Sequence, residues 1–326
     1  MAMINEIRGL AEFQAKEITS SPRDWMKYLD TAAKLYRYPF SDTLLIHAQR
    51  PDATACASLE LWNGKMNRWV NRGAKGIALI DDTGPRRRLK YVFDISDTHL
   101  GIGGRTPNLW RMEDVQKEAV LGHLADTYGL SEGDASSLPA ALSAIAYQMT
   151  EENLEEAMDG LLYETEGTFL EGLDENTIRV EFRRLMMNSA FYALSVRCGA
   201  DPMECLEEED FSGITDYNAL PVLTFLGNAV GQLVEPVLVD IGRTVRRIII
   251  EESQKTVANV DGIGYNKFNT LKRESENREG GNENGTDLPP QRGLLNLKIV
   301  YTYSLLIHCL QIPRRNQTIQ KRSFCI

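Results

Sequence analysis

The fold is decided by residues 28–82, which read YLDTAAKLYRYPFSDTLLIHAQRPDATACASLELWNGKMNRWVNRGAKGIALIDD. In the first half of this stretch apolar residues recur at helical spacing, and Pro39 and Pro51 mark helix ends. After the Trp62 region the pattern changes to short apolar segments joined by glycine-containing turns, which is typical of strands. The stretch therefore predicts a small α+β domain in which helices precede an antiparallel sheet.

The first hundred residues give these expected elements in order. Ser21 is a suitable N-cap, with Pro22 at the first helical position. The glycine-rich segment Thr98–Pro107 predicts a linker and makes the best domain boundary. We predict helices over 3–19, 22–36 and 43–49, a helical turn over 56–63, and strands over 68–70, 76–80 and 90–95.

Beyond this linker the pattern is almost wholly helical. Gly227, Gly231 and Pro236 interrupt the last helical segment, which predicts two helices or one kinked helix. We predict helices over 110–129, 136–148, 151–163, 174–198 and 218–256.

The last part of the chain changes character twice. Residues 273–293 are polar and glycine-rich, which predicts disorder. The apolar run at 294–312 is near the length of a membrane span, but it carries Asn296, Lys298, His308 and Gln311, so we expect no span. Such an abrupt change is also typical of a shifted or truncated reading frame. The resulting expectation is an α+β chain with an N-terminal domain at 1–100, an acidic all-α domain at 107–258, and a disordered linker and atypical tail at 259–326.

Charge is distributed unevenly along this chain. The net charge is −10 overall, but it is +3 over residues 1–100, −17 over 101–258 and +4 over 259–326. A mildly basic N-terminal domain joined to an acidic helical domain suggests two separate roles. The five cysteines are scattered and the N-terminus has no signal-peptide pattern, so we expect a reducing, cytoplasmic location.

Aromatic and basic side chains alternate through residues 34–75. Aromatic faces that stack on bases, set among cations that meet phosphates, suit sequence-tolerant binding of a single strand. Two glycines in Asn71–Gly76 would let the backbone approach a phosphate, although an ordinary hairpin loop needs the same glycines. The aromatic residues of this stretch can equally belong to the core. On the preceding helix we expect Trp25 and Leu29 to be core residues. The candidate nucleic-acid-binding residues are Arg37, Tyr38, Arg50, Lys65, Arg68, Trp69, Arg72 and Lys75.

Several of these motifs resemble one known family in their order. The chain has YPFSDTLLIHAQRPDATACAS from Tyr38, then LWNGKMNRWVNRGAKGIALID from Leu61. This order resembles the N-terminal domain of ArdC-type antirestriction proteins, in particular the version in LtrC-like proteins of conjugative elements. The matching positions are Phe40, Leu44, Leu45, Ile46, Gln49, Pro51, Ala53, Thr54, Trp62, Gly73, Lys75 and Gly76.

The resemblance covers about residues 1–100 and implies sequence-independent binding of single-stranded DNA by a protein of a mobile genetic element. It implies that 49–51 and the 68–76 turn are the contact regions. The chain departs from ArdC proteins because its four histidines form no HExxH motif. Methylase and Walker A motifs, which larger relatives carry, are also absent from the sequence. We therefore expect no enzyme activity and no cofactor.

Other candidates have ordinary structural explanations. His47 lies in an apolar helix pattern and is expected to be a structural histidine. The acidic clusters at 151–156 and 207–210 are expected to be solvated helix faces rather than metal sites. Arg243, Arg246 and Arg247 form a basic stripe at helical spacing that could meet DNA or the acidic helices.

The alternative function is an interaction module. On this view the chain is the truncated N-terminal part of a larger methylase or helicase polypeptide. The acidic helices would then dock other domains or proteins of the same mobile element.

Overall fold

The structure, a computed structural model, describes residues 2–107 and 109–279, with side chains for 3–107 and 109–254. The chain divides into two compact units, residues 1–258 and 259–326. The α+β fold class expected from the sequence is confirmed, since N-terminal helices and small antiparallel sheets precede a long helical region. The domain boundary predicted at 100–107 lies inside the first unit.

Three helices open the chain, close to the predicted bounds. The second begins as expected, because the Ser21 side chain accepts a hydrogen bond from the Asp24 backbone N–H and Pro22 occupies the first turn. Its inner face buries Trp25, Tyr28 and Leu29, which confirms the expected core role of Trp25 and Leu29. The helices are α1 (Ala2–Ile18), α2 (Pro22–Lys34) and α3 (Phe40–Gln49).

Five short strands form two antiparallel sheets. The first sheet has the order β1-β4-β3 and the second pairs β2 with β5. The strand predicted at 68–70 is confirmed, and those predicted at 76–80 and 90–95 are shifted by one or two residues. The strands are β1 (Cys56–Ser58), β2 (Arg68–Val70), β3 (Ile77–Asp81), β4 (Arg88–Asp94) and β5 (Thr98–Leu100).

The helical turn predicted over 56–63 is wrong in its first half, where β1 pairs with β4. The buried carboxylate of Asp94, at the end of β4, accepts hydrogen bonds from the backbone N–H groups of Thr54 and Ala55 at 2.7 and 2.9 Å. These bonds hold the segment before β1 alongside the sheet. The chain becomes helical only at residues 59–60 and continues as a single wide π-helical turn over Leu61–Lys65.

The glycine-rich segment 98–107 is not a free linker. Its first three residues form β5, and the chain then bonds back to the approach to β2, with Gly101 N–H donating to Asn67 O and Arg105 N–H to Met66 O. The sequence signal for a linker came from three glycines between 101 and 104 and from the lack of apolar periodicity around them. In the fold, these glycines permit a close backbone approach instead.

Four helices follow the sheets. The break predicted near residue 150 is wrong: α5 is continuous, since no Gly or Pro interrupts it there and Thr150 is buried in mid-helix. The last helix is also unbroken, and it accommodates Pro236 at the loss of one backbone hydrogen bond. The helices are α4 (Asp114–Tyr128), α5 (Leu138–Leu162), α6 (Glu175–Cys198) and α7 (Leu220–Glu279).

One core joins the N-terminal helices to the helical region. The Trp25 indole N–H donates to the Ser189 hydroxyl of α6 at 2.9 Å, and the Tyr192 hydroxyl donates to Asp30 at 3.2 Å. Because α2 and α6 share buried contacts, the N-terminal segment is supported by residues far along the chain.

The 220–254 part of α7 is long and apolar enough to cross a membrane by length and composition alone. Half of its most apolar window is buried inside the protein, where Leu223, Leu226 and Val237 pack in the core. Since α7 extends to Glu279, the disorder predicted from 273 does not apply to 273–279. The rest of that segment and the predicted tail lie outside the described residues.

Candidate nucleic-acid interface

The pairing of β2 with β5 creates a short ribbon with one solvent-exposed face. Trp69 lies directly opposite His99 in the register, and directly opposed side chains in an antiparallel pair project from the same face. Trp69 is 48% exposed, and the His99 Nδ1 lies 2.7 Å from the Asn71 Oδ1. A Cβ on Gly101 would lie only 2.7 Å from the Trp69 Nε1, so the glycine allows the chain to pass against the indole.

The turn after β2 presents two exposed cations, Arg72 and Lys75. Asn71 N–H donates to Asp97 O at 2.8 Å, and Ala74 N–H donates to Asn71 O at 3.0 Å. Gly73 has φ of +86°, a left-handed conformation that favours glycine. The backbone therefore holds the turn by itself, which leaves the side chains of Arg72 and Lys75 exposed.

Lys65 occupies an equivalent exposed position just before β2. Neither it nor the two turn cations forms an ion pair with any side chain in the described ranges. We name this set the ribbon surface: Lys65, Trp69, Arg72, Lys75 and His99.

Arg68 lies on the opposite, inner face of the ribbon. It is 7% exposed, its Nε donates to the Thr98 hydroxyl at 2.9 Å, and its guanidinium carbon lies 5.9 Å from the centre of the Trp62 ring. The side chain thus joins β2 to β5 from inside the fold. Its guanidinium is turned away from the solvent face that carries Trp69.

Arg50 is surrounded by acceptors. It pairs with Asp52 at 3.0 Å and with Asp97 at 3.3 Å, and it donates to the Ser96 hydroxyl at 2.9 Å. These contacts offset its charge and connect the end of α3 to the turn before β5.

Arg37 and Tyr38 lie at a different place, in a cleft of about 470 Å³ beside α7. We name it the α7 cleft. The Tyr38 hydroxyl donates to Cys56 O at 2.7 Å, and burial raises the pKa of this tyrosine well above its ordinary value. Arg37 is exposed, with its guanidinium carbon 5.7 Å from the centre of the Tyr36 ring. The eight candidate residues are therefore divided among the ribbon surface, the α7 cleft and internal contacts.

Tyr91 of β4 belongs near the ribbon surface but was missed in the sequence. It is 43% exposed, and a Cβ on Gly76 at the end of the turn would lie 3.2 Å from the Tyr91 Cβ. The alternation in residues 91–94, with Val92 and Asp94 buried, places Tyr91 on the solvent side. That period-two pattern was the signal that could have identified it.

His47 and the acidic clusters have structural partners. The His47 Nδ1 lies 2.8 Å from the Thr31 hydroxyl, and burial lowers the pKa of this imidazole. Glu151 and Glu155 of α5 form ion pairs with Arg183 and Arg179 of α6. Within the described side chains, no group of three His, Cys, Asp or Glu residues is arranged to hold a metal ion.

Comparison with protein-family models, with curated proteins and with solved structures found no match to this chain. The resemblance to ArdC-type proteins therefore stays a prediction that rests on the quoted residues.

Proposed function

We propose that the protein binds single-stranded DNA without sequence preference through the ribbon surface. The observation that carries this proposal is the exposed indole of Trp69 next to the exposed cations Arg72 and Lys75. An exposed indole has no partner in a fully stacked duplex, but it can stack on an unpaired base of any identity. The cations would neutralise backbone phosphates and release counter-ions.

The contrast with Arg50 and Arg68 supports the choice of surface. Both of those arginines donate hydrogen bonds to acceptors within the protein. The N–H donors of the ribbon-surface cations are exposed and can meet a ligand. Tyr91 supplies a second exposed ring next to the turn, which offers another aromatic face for a base.

The resemblance to ArdC-type proteins extends the proposal to a role. On that basis the protein would coat incoming single-stranded DNA of a conjugative element and shield it from restriction, by occupancy rather than by catalysis. Saturating protein should then protect a labelled single strand from a single-strand-specific nuclease, and protection should fade as salt is raised.

The proposal is tested by fluorescence anisotropy of the full chain with labelled mixed-sequence DNA, single-stranded and double-stranded, over a salt series. We expect tighter binding of the single strand and an affinity that falls steeply with salt. Equal affinity for both DNA forms, or no binding at low salt, would reject the proposal. The matched control is the double variant Arg8→Ala with Lys16→Ala, which removes two exposed cations from α1 and should leave binding nearly unchanged.

A further inference from the structure

The α7 cleft gathers cations from segments far apart in the chain. Its walls come from the end of α2 and the residues after it, from the segment around Trp110, from the end of α6, and from α7. The cationic members of the lining are Lys34, Arg37, Arg197, Arg243 and Arg246.

The described residues that line the cleft do not offset this positive charge. Among the described residues that line it, none is Asp or Glu. Arg243 and Arg246 are exposed on successive turns of α7 and form no ion pair within the described part of the chain. This is unexpected in a helical region whose net charge is −17. Two members of the basic stripe on α7, Arg243 and Arg246, thus line the cleft, whereas Arg247 does not.

Arg197 is the most constrained of the five cations. Its Nε is buried and has no hydrogen-bond partner among the described residues. Its guanidinium carbon lies 3.9 Å from the centre of the Trp110 ring, close enough for stacking. Burial lowers the pKa of Arg197, which means that the site disfavours the charge in the absence of an anion. A stacked ring offsets only part of the cost of burying a cation, so an anionic ligand would stabilise this arrangement.

Aromatic rings give the cleft a fixed wall. The Trp110 indole N–H donates to the Tyr36 hydroxyl at 3.2 Å. Gly242 of α7 lies against the same indole, since a Cβ there would come within 2.5 Å of its Nε1. Trp110 is therefore held between the Arg197 guanidinium and the backbone of α7. Because Trp110 is only 7% exposed, the ring surface open to a ligand comes from the half-buried Tyr36 and Tyr38, which also line the cleft.

We propose that the α7 cleft binds one nucleotide unit, with its phosphate on the arginines of α6 and α7 and its base against the rings of Tyr36 and Tyr38. The volume of about 470 Å³ lies within the usual range for small-molecule sites, roughly 300–1,000 Å³. The unit is either a free nucleotide or one residue of a single strand, because both present the same phosphate and base. This inference stands apart from the ribbon surface, which uses different residues.

The test uses the full chain and the double variant Arg243→Gln with Arg246→Gln. These exposed side chains can be changed without opening the core. Binding of thymidine monophosphate and of a mixed-sequence single-stranded oligonucleotide is measured by calorimetry at low salt. We expect the variant to weaken at least one of the two ligands by about tenfold, as expected for lost charge-assisted phosphate contacts. The variant Arg8→Gln with Lys16→Gln is the matched control for net charge.

Each outcome has a clear meaning. If the mononucleotide binds and the α7 variant weakens it, the cleft takes a free nucleotide. If only the oligonucleotide binds and the α7 variant weakens it, the cleft holds a residue of the strand. If the α7 variant binds both ligands as the wild type does, or if neither ligand binds the wild type, the inference is overturned.

Two further variants separate this site from others. Arg72→Ala with Lys75→Ala should weaken the oligonucleotide and leave any mononucleotide binding unchanged, so the ribbon proposal can fail while the cleft proposal stands. Arg197→Lys keeps the charge but loses the planar group stacked on Trp110. We expect it to weaken the ligand that the α7 variant weakens, and a thermal melt in the absence of ligand reports any loss of fold.

Discussion

The ribbon surface and the α7 cleft both place cations beside aromatic rings, but they are built in opposite ways. The ribbon surface comes almost entirely from residues 65–75, with its cations on exposed turns. The α7 cleft draws on residues as far apart as 34 and 246, and one of its cations has a buried, unpartnered Nε. A local cluster can be found from sequence spacing alone. A cluster assembled by helix packing becomes visible only in the fold.

A second contrast lies within the ribbon itself. Arg68 and Arg72 are four residues apart and chemically identical, yet Arg68 is buried on the inner face and Arg72 is exposed in the turn. Arg68 lies within β2, where its side chain is on the inner face, whereas Arg72 follows the strand in a solvent-exposed turn. The place of a cation in strand or turn therefore decides its role. Five predictions test these contrasts, and they run from the largest expected effect to the smallest.

The largest effect is expected for Asp94→Ala, which should destabilise the fold that supports both the ribbon surface and the α7 cleft. The carboxylate accepts from the Thr54, Ala55 and Ser96 backbone N–H groups, and Thr54 and Ala55 also line the α7 cleft. Leaving these donors unpaired should lower the free energy of unfolding by about 3 kcal/mol, measured by urea denaturation. The exposed Asp82→Ala is the matched control and should change it by less than about 0.5 kcal/mol.

The same carboxylate predicts a pH dependence of stability. Burial alone would raise the pKa of Asp94, but hydrogen bonds from Ser96, Ala55 and Thr54 outweigh it and hold the pKa below its ordinary value. Stability from this group is therefore present above the unfolded-state pKa of about 4 and is lost as the pH falls through the lower folded-state pKa. Asp94→Asn should show a shallower loss of stability in acid, and identical acid profiles would contradict this account.

Arg68→Ala should separate the inner face of the ribbon from the outer face. Removing the guanidinium takes away the bond to Thr98 and the contact with Trp62, so we expect a loss of about 2 kcal/mol in the free energy of unfolding. Arg72→Ala should change stability by less than about 0.5 kcal/mol, because its side chain is exposed. Equal free energies of unfolding for the two variants would show that the buried contacts of Arg68 do not stabilise the fold.

Trp69→Ala should weaken single-strand binding by about 1–3 kcal/mol, which is the usual contribution of a base stacked on an aromatic ring. Trp69→Phe should retain most of the affinity, since a smaller ring can still stack. Anisotropy measurements on both variants provide the comparison. If the phenylalanine and alanine variants bind equally well, stacking at this position is not part of binding.

Arg72→Ala with Lys75→Ala should have the smallest effect at physiological salt and the clearest signature. Two lost phosphate contacts should cost about tenfold in affinity at low salt and reduce the salt slope by about 1.4, at roughly 0.7 per contact for a single strand. The loss should be the same for different base sequences, because phosphates carry no sequence information. An unchanged slope would remove the turn from the interface.

The sequence predicted the elements whose signals are local. Ser21 and Pro22 marked the start of α2, and the bounds of β2 were correct. The exposure of Arg72 and Lys75 followed from their place in a glycine-containing turn. These features depend on a few neighbouring residues, so spacing and residue type were enough.

Features that depend on distant pairing were not predictable in the same way. The burial of Arg68 requires β5, which was hidden in a segment whose glycines indicated a linker. The α7 cleft requires α7 to pack against Trp110, more than a hundred residues away in the chain. A basic stripe at 243–247 was visible in the sequence, but the sequence left open whether it meets DNA or the acidic helices. In the fold, Arg243 and Arg246 of this stripe line the α7 cleft.

Photo-crosslinking of a single-stranded oligonucleotide that carries 5-iododeoxyuridine tests the central claim most directly. This base forms adducts with aromatic side chains that stack on it, and mass spectrometry locates the modified peptide. The account predicts the main adduct in the peptide that contains Trp69, with its yield falling as salt releases the strand. Saturated binding with adducts only in peptides outside the ribbon surface would contradict it.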